Sequence, residues 1–90
     1  MYYIYIITNA YNKTLYIGVT GNIEKRTAEH KLHIVKGFSD RYNLEKLIYV
    51  EGYNNVNEAI AREKQLKGWS RAKKEALIAK ANPEWKDLEL

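Results

Sequence analysis

The sequence contains no cysteine, which excludes disulfides, thiolate metal sites and a cysteine nucleophile and suits a reducing compartment. No apolar run approaches about 18 residues, and no basic segment leads into an apolar one at the start, so neither a membrane span nor a secretory signal is expected and the protein reads as cytoplasmic. Proline occurs once in 90 residues and no linker-like stretch interrupts them, which points to one domain over 1–90. A glycine-rich phosphate loop and a Ser/His/Asp arrangement are also missing, leaving little support for a small-molecule enzyme. So small a domain buries roughly two-thirds or less of its unfolded surface. Every large apolar side chain then matters, and a hidden polar one needs a reason.

Positive charge is present in modest excess, +4 formally with an isoelectric point near 9.3, but it is unevenly spread. Arg62, Lys64, Lys67, Arg71, Lys73, Lys74 and Lys80 share a stretch whose acids are Glu63 and Glu75. Such a basic face suits a polyanion through counterion release. A solvated pair of helices would give the same pattern.

The stretch YYIYIITNAYNKTLYIGVT, residues 2–20, holds two strand-like runs around a polar turn at Asn9 to Lys13. Alternate strand residues face opposite sides. In the simplest hairpin register, Ile4, Ile6, Leu15, Ile17 and Val19 share one face, while Tyr3, Tyr5, Tyr16 and Gly18 gather on the other. The aliphatic face is core. The tyrosine face carries hydroxyls that need partners or water, and Gly18 permits a close approach to its backbone. A third run, Leu47-Ile48-Tyr49-Val50, is expected to set Ile48 and Val50 against Leu47 and Tyr49. Tyrosine's liking for strands would account for much of this without function.

Asn22 is a fitting N-cap for a helix to about Val35, with Ile23, Thr27 and Ile34 in a narrow stripe, Arg26 at its edge and His30 at its centre. A second helix starts at Asn55, with Glu58 three residues on. Its stripe is Val56, Ala59, Ile60 and Leu66, with Glu63 in the middle. A carboxylate there needs a cation: Lys67 one turn later, Arg26, or a metal ion. Ser70 should cap a third helix to about Ala81 with Leu77 and Ile78 inward, Asn82-Pro83 should end it, and Trp85 and Leu88 should fold back onto the core.

Taken in order, these residues resemble the GIY-YIG nuclease family. Tyr16-Ile17-Gly18 matches the second half of the name motif, and Tyr3-Ile4-Tyr5 stands for the first, with Tyr3 replacing its glycine. GNIEKRTAEHK, residues 21–31, is similar to the family's helix with an arginine and a histidine four residues on, and AIAREKQLKGW, residues 59–69, to its glutamate-bearing helix. The chain looks most like the small standalone members similar to the nuclease domain of an excision-repair protein.

The resemblance implies an α+β fold, a three-stranded antiparallel sheet flanked by about three helices, and metal-dependent hydrolysis of phosphodiesters in nucleic acid, DNA first, with repair or recombination as the setting and a protein partner for targeting. Glu63 would hold Mg²⁺ or Mn²⁺, and Arg26 would bind a phosphate oxygen. Tyr5 would act as base with Tyr16 and His30 beside it, its pKa lowered by Arg26 or the metal, or its proton passed to His30. Gly18 would leave room for the scissile phosphate, and Lys31, Lys36, Lys67 and Lys74 would make phosphate contacts without sequence choice. An auxiliary asparagine of some members is not carried over to Asn82. Trp69 could stack on a base, but packing between helices is the simpler role. The alternative function is a non-catalytic nucleic-acid-binding or partner-binding module on the same fold.

Overall fold

The computed structural model describes residues 1–32 and 44–88. In chain order these form β1 (Tyr2–Thr8), β2 (Leu15–Thr20), α1 (Ile23–Lys31), β3 (Lys46–Tyr53), α2 (Val56–Lys67) and α3 (Arg71–Ala81). The strands make an antiparallel sheet in the order β2-β1-β3. That is the expected α+β architecture. Among the described residues no helix is long and apolar enough to cross a membrane. Lys36, Ile34 and the expected end of α1 at Val35 lie outside the described residues.

The β1–β2 hairpin has the register that alternation suggested, pairing Ile4 with Val19, Tyr5 with Gly18 and Ile6 with Ile17. Its turn is built by asparagines. The Asn9 side chain accepts from the Lys13 N–H at 2.8 Å, and Asn12 takes a positive φ of 57°, which asparagine tolerates better than most residues. The Arg71 guanidinium of α3 closes the tip, donating to the carbonyls of Lys13 at 2.7 Å and Asn12 at 2.5 Å.

The sheet carries a core on each face. Ile4, Ile6 and Ile17 pack with Ala59 and Leu66 of α2 and Ile78 of α3, while Leu15, Val19, Trp69 and Trp85 border them. On the other face Tyr5 and Ile7 pack with Ile23 of α1, Leu44 and Leu47. The tyrosine face is therefore a second core. Val56, expected in the α2 stripe, is 38% exposed, because the first turn of α2 extends beyond the sheet-facing pair Ala59 and Leu66.

One expected alternation fails. Tyr49 pairs with Ile6 and Leu47 with Ile7, leaving Ile48 as an extra residue at a bulge. An inserted residue shifts the phase of the strand, so Ile48 and Tyr49 join the first core and Leu47 and Val50 the second. The bulge is held from the C-terminal segment. Asn82 caps α3 and donates its amide to the Ile48 carbonyl at 3.1 Å, while Asp87 accepts from the Leu47 N–H at 3.2 Å. Leu88 N–H donates to the Leu47 carbonyl at 2.7 Å. Trp85 and Leu88 fold back as expected.

Candidate active site

Three of the residues singled out in the sequence meet on the α1 side of the sheet. The ring centroids of Tyr5, Tyr16 and His30 form a triangle with sides of 6.3, 5.7 and 6.2 Å. Strand pairing delivers the tyrosines, since Tyr5 lies opposite Gly18 and Tyr16 opposite Ile7 on the same face. Helical spacing delivers His30: Ile23, Thr27 and His30 are the buried residues of α1, one stripe at i, i+4 and i+7. The Asn22 side chain caps this helix through the Lys25 N–H at 3.1 Å.

The hydroxyl of Tyr5 lies 3.3 Å from Nε2 of His30, and both side chains are buried. Burial pushes the Tyr5 phenol well above its ordinary range, with Tyr16, Glu63 and Glu29 adding to the shift and Arg26 opposing it. Desolvation and the Arg26 charge push the His30 imidazole below its usual value. At neutral pH the pair is a neutral phenol beside a neutral imidazole. Nδ1 of His30 is buried without a hydrogen-bond partner among the described residues.

Arg26 keeps 39% of its side chain exposed and pairs with Glu29 at 3.6 Å. It lines a hollow of about 320 Å³ together with Thr20, Asn22, Lys25 and Glu29. Glu63, on α2, is 17% exposed at its side chain and pairs with Lys67 at 3.6 Å. Among the described residues no group of three or more His, Cys, Asp or Glu gathers as a metal site. A lone carboxylate does fit a cation that retains much of its water, as Mg²⁺ does, and the partner ammonium, 53% exposed, can swing away.

The family model described as the GIY-YIG catalytic domain matches residues 1–76. The chain belongs to the GIY-YIG family.

Among its relatives, a UPF0213 protein of Syntrophus aciditrophicus is 39% identical over 90 residues, covering 91% of this chain and 93% of that one. A UPF0213 protein of Natronomonas pharaonis is 36% identical over 78 residues, covering 87% and 91%. The solution NMR structure of a UPF0213 protein from Bacillus halodurans superposes with a TM-score of 0.61 at 23% identity, covering 97% of this chain and 93% of that one. This likeness shows a shared GIY-YIG fold. The family is one of nucleases, and its small standalone members are the relatives this chain matches.

Within this GIY-YIG domain two sequence expectations change. The room expected over Gly18 is filled by Tyr5: a Cβ on Gly18 would stand 2.4 Å from both Cζ and Oη of the phenol. A phosphate does not fit there, because the glycine makes space for the ring. Tyr3, in place of the first motif glycine, lies similarly over Gly52 of β3, whose Cβ would meet Cε1 of the ring at 3.4 Å. The second change concerns Tyr5, whose pKa rises instead of falling, since desolvation outweighs Arg26.

The lysines are dispersed. Lys31 pairs with Asp87, which sits beside the start of β3 at Leu47, Lys67 is held by Glu63, and Lys74 sits half-buried on α3.

Sequence reading missed Glu51. Its carboxylate accepts from the Tyr49 hydroxyl, from the Tyr53 hydroxyl at 2.7 Å, and from Nε and Nη2 of Arg62 at 3.0 Å each. This cluster ties α2 to β3 on the residue preceding Glu63. A signal existed: Tyr49, Glu51 and Tyr53 recur at the strand period of two.

Proposed function

We propose that the protein is a divalent-metal-dependent endonuclease that hydrolyses phosphodiester bonds of nucleic acid, DNA in the first instance. The observation that carries this reading is the buried Tyr5–His30 contact, a hydroxyl 3.3 Å from an imidazole whose pKa is held down. With Nε2 unprotonated, the phenol donates to it, so Tyr5 takes a proton from the attacking water as it passes its own to His30. The water oxygen bonds to phosphorus and one ester oxygen departs, taking a proton from solvent. Arg26, exposed enough to reach a ligand, binds a non-bridging phosphate oxygen with its planar fork. Glu63 would hold Mg²⁺ or Mn²⁺, which when bound would supply positive charge for the phosphate and offset the negative field that Glu63 exerts on Tyr5. Gly18 serves by admitting the phenol, and Tyr16 walls the ring cluster. A repair or recombination setting, a cytoplasmic site of action and targeting by a protein partner go with this reading, since phosphate contacts alone choose no sequence.

The test is cleavage of supercoiled plasmid and of labelled single-stranded or branched oligonucleotides in Mg²⁺ or Mn²⁺. Tyr5→Phe, which keeps the ring over Gly18, should lower the rate about a hundredfold or more, and Glu63→Ala or chelation should abolish it. A second reading is favoured by the Glu63–Lys67 ion pair: a non-catalytic module that binds nucleic acid. That protein would bind in chelator, weaken with salt and never cut.

A further inference from the structure

Outside the Tyr5 cluster, the surface of α3 carries a second feature suited to nucleic acid. A groove of about 320 Å³ is lined by Trp69, Lys73, Ala76, Leu77 and Lys80. The four α3 positions fall at i, i+3, i+4 and i+7, a single helical stripe, and Trp69 stands at its N-terminal head. We propose that this groove holds an unpaired base of single-stranded nucleic acid, with Trp69 as the stacking platform and Lys73 and Lys80 as ligands of the flanking phosphates. The proposal rests on nucleic acid being the substrate and names its form, an unpaired strand.

The platform is rigid. Trp69 packs partly against the first core, its backbone N–H donates to the Leu66 carbonyl at 3.1 Å, and the Arg62 guanidinium lies 5.2 Å from its ring centroid. Arg62 is itself fixed by two bonds to Glu51. A side chain already ordered loses little entropy on binding.

The charge is complementary. None of these lining residues is an acid, and Lys73 places its ammonium 4.7 Å from the Trp69 ring centroid, with no carboxylate in ion-pair reach of it among the described residues. A cation resting on a π face is exchangeable: the lysine moves to a phosphate, and a base takes its place on the indole. Ala76 and Leu77 supply an apolar floor. Stacking of this kind accepts any base, which suits contacts that do not read sequence.

The experiment uses metal-free protein in chelator, so that no cleavage intervenes. In the Trp85→Phe background the remaining indole, Trp69, reports directly. Titration with a short oligothymidylate should quench its fluorescence saturably, and inorganic polyphosphate, which has charge but no base, should not. Ala76→Glu adds a carboxylate at an exposed position and should weaken oligothymidylate binding at least about tenfold with an unchanged melting temperature. Unchanged affinity in Ala76→Glu, or equal quenching by polyphosphate, would overturn the groove. Quenching without cleavage in any metal would remove the nuclease reading and keep the groove, whereas cleavage without quenching would do the reverse.

Discussion

The phenol of Tyr5 lies against Gly18 on the neighbouring strand, where a single Cβ would come within 2.4 Å of its Cζ and Oη. The pairing register puts these residues directly opposite each other, so the motif glycine and the motif tyrosine are one packing unit. Gly18→Ala should push the ring aside and open its contact with His30. The overpacking should cost about 1–3 kcal/mol, read as a lowered melting temperature, and cleavage should fall by at least about tenfold if the hydroxyl's position governs proton transfer.

Acid should weaken the fold through His30. Its folded pKa lies below the unfolded value of about 6.5 because of burial first and Arg26 second, with Glu29 opposing. The unfolded chain therefore binds more protons in this range, and stability is lost as pH falls through about 6.5 toward the lower folded pKa. Denaturant titrations at a series of pH values should show this slope in the wild type and a flatter one in His30→Gln. Cleavage should decline at lower pH, as folded His30 itself becomes protonated below its ordinary value and can no longer accept from Tyr5.

Glu51 gives a separate acid transition. Burial pushes its carboxyl up, but the hydrogen bonds from Arg62, Tyr49 and Tyr53 outweigh it and leave the pKa below the ordinary value of 4.5. Its contribution is fully present above that value and lost as pH falls below it through the lower folded pKa. Glu51→Ala strands a half-buried guanidinium and two phenols, and should cost about 3 kcal/mol by denaturant titration. Glu51→Gln should cost less and remove the acid slope below about pH 4.5.

The legible parts of this molecule are those governed by local period and local caps. Alternation in residues 2–20 yields the hairpin register, and Asn22, Asn55 and Ser70 each cap the helix that follows. The stripe that places His30 in the core follows from spacing alone. What stays hidden depends on the third dimension. The bulge at Ile48 is sustained by Asn82 and Asp87 from the far end of the chain, and nothing in Leu47-Ile48-Tyr49-Val50 announces it. The Glu51 cluster is only partly hidden: Tyr49, Glu51 and Tyr53 share the strand period of two, but their partner Arg62 is on a different element. The position of the Tyr5 ring over Gly18 is half visible: the glycine marks a close approach, and only packing shows what approaches.

The Glu63–Lys67 pair sets the last expectation. A 3.6 Å contact with a lysine more than half exposed is a weak restraint, of the order that solvent-exposed helix pairs contribute, about 0.2–1 kcal/mol. It nevertheless competes with any cation for the same carboxylate. Lys67→Ala should remove that competition and tighten Mn²⁺ binding by up to about fivefold, the upper factor that this energy range implies at room temperature. Electron paramagnetic resonance of free Mn²⁺ measures this without substrate or turnover. Glu63→Gln in the same titration should lose the site altogether. A purely structural Glu63 would give a different pattern, with Mn²⁺ indifferent to both substitutions and helix stability alone responding to the loss of the ion pair.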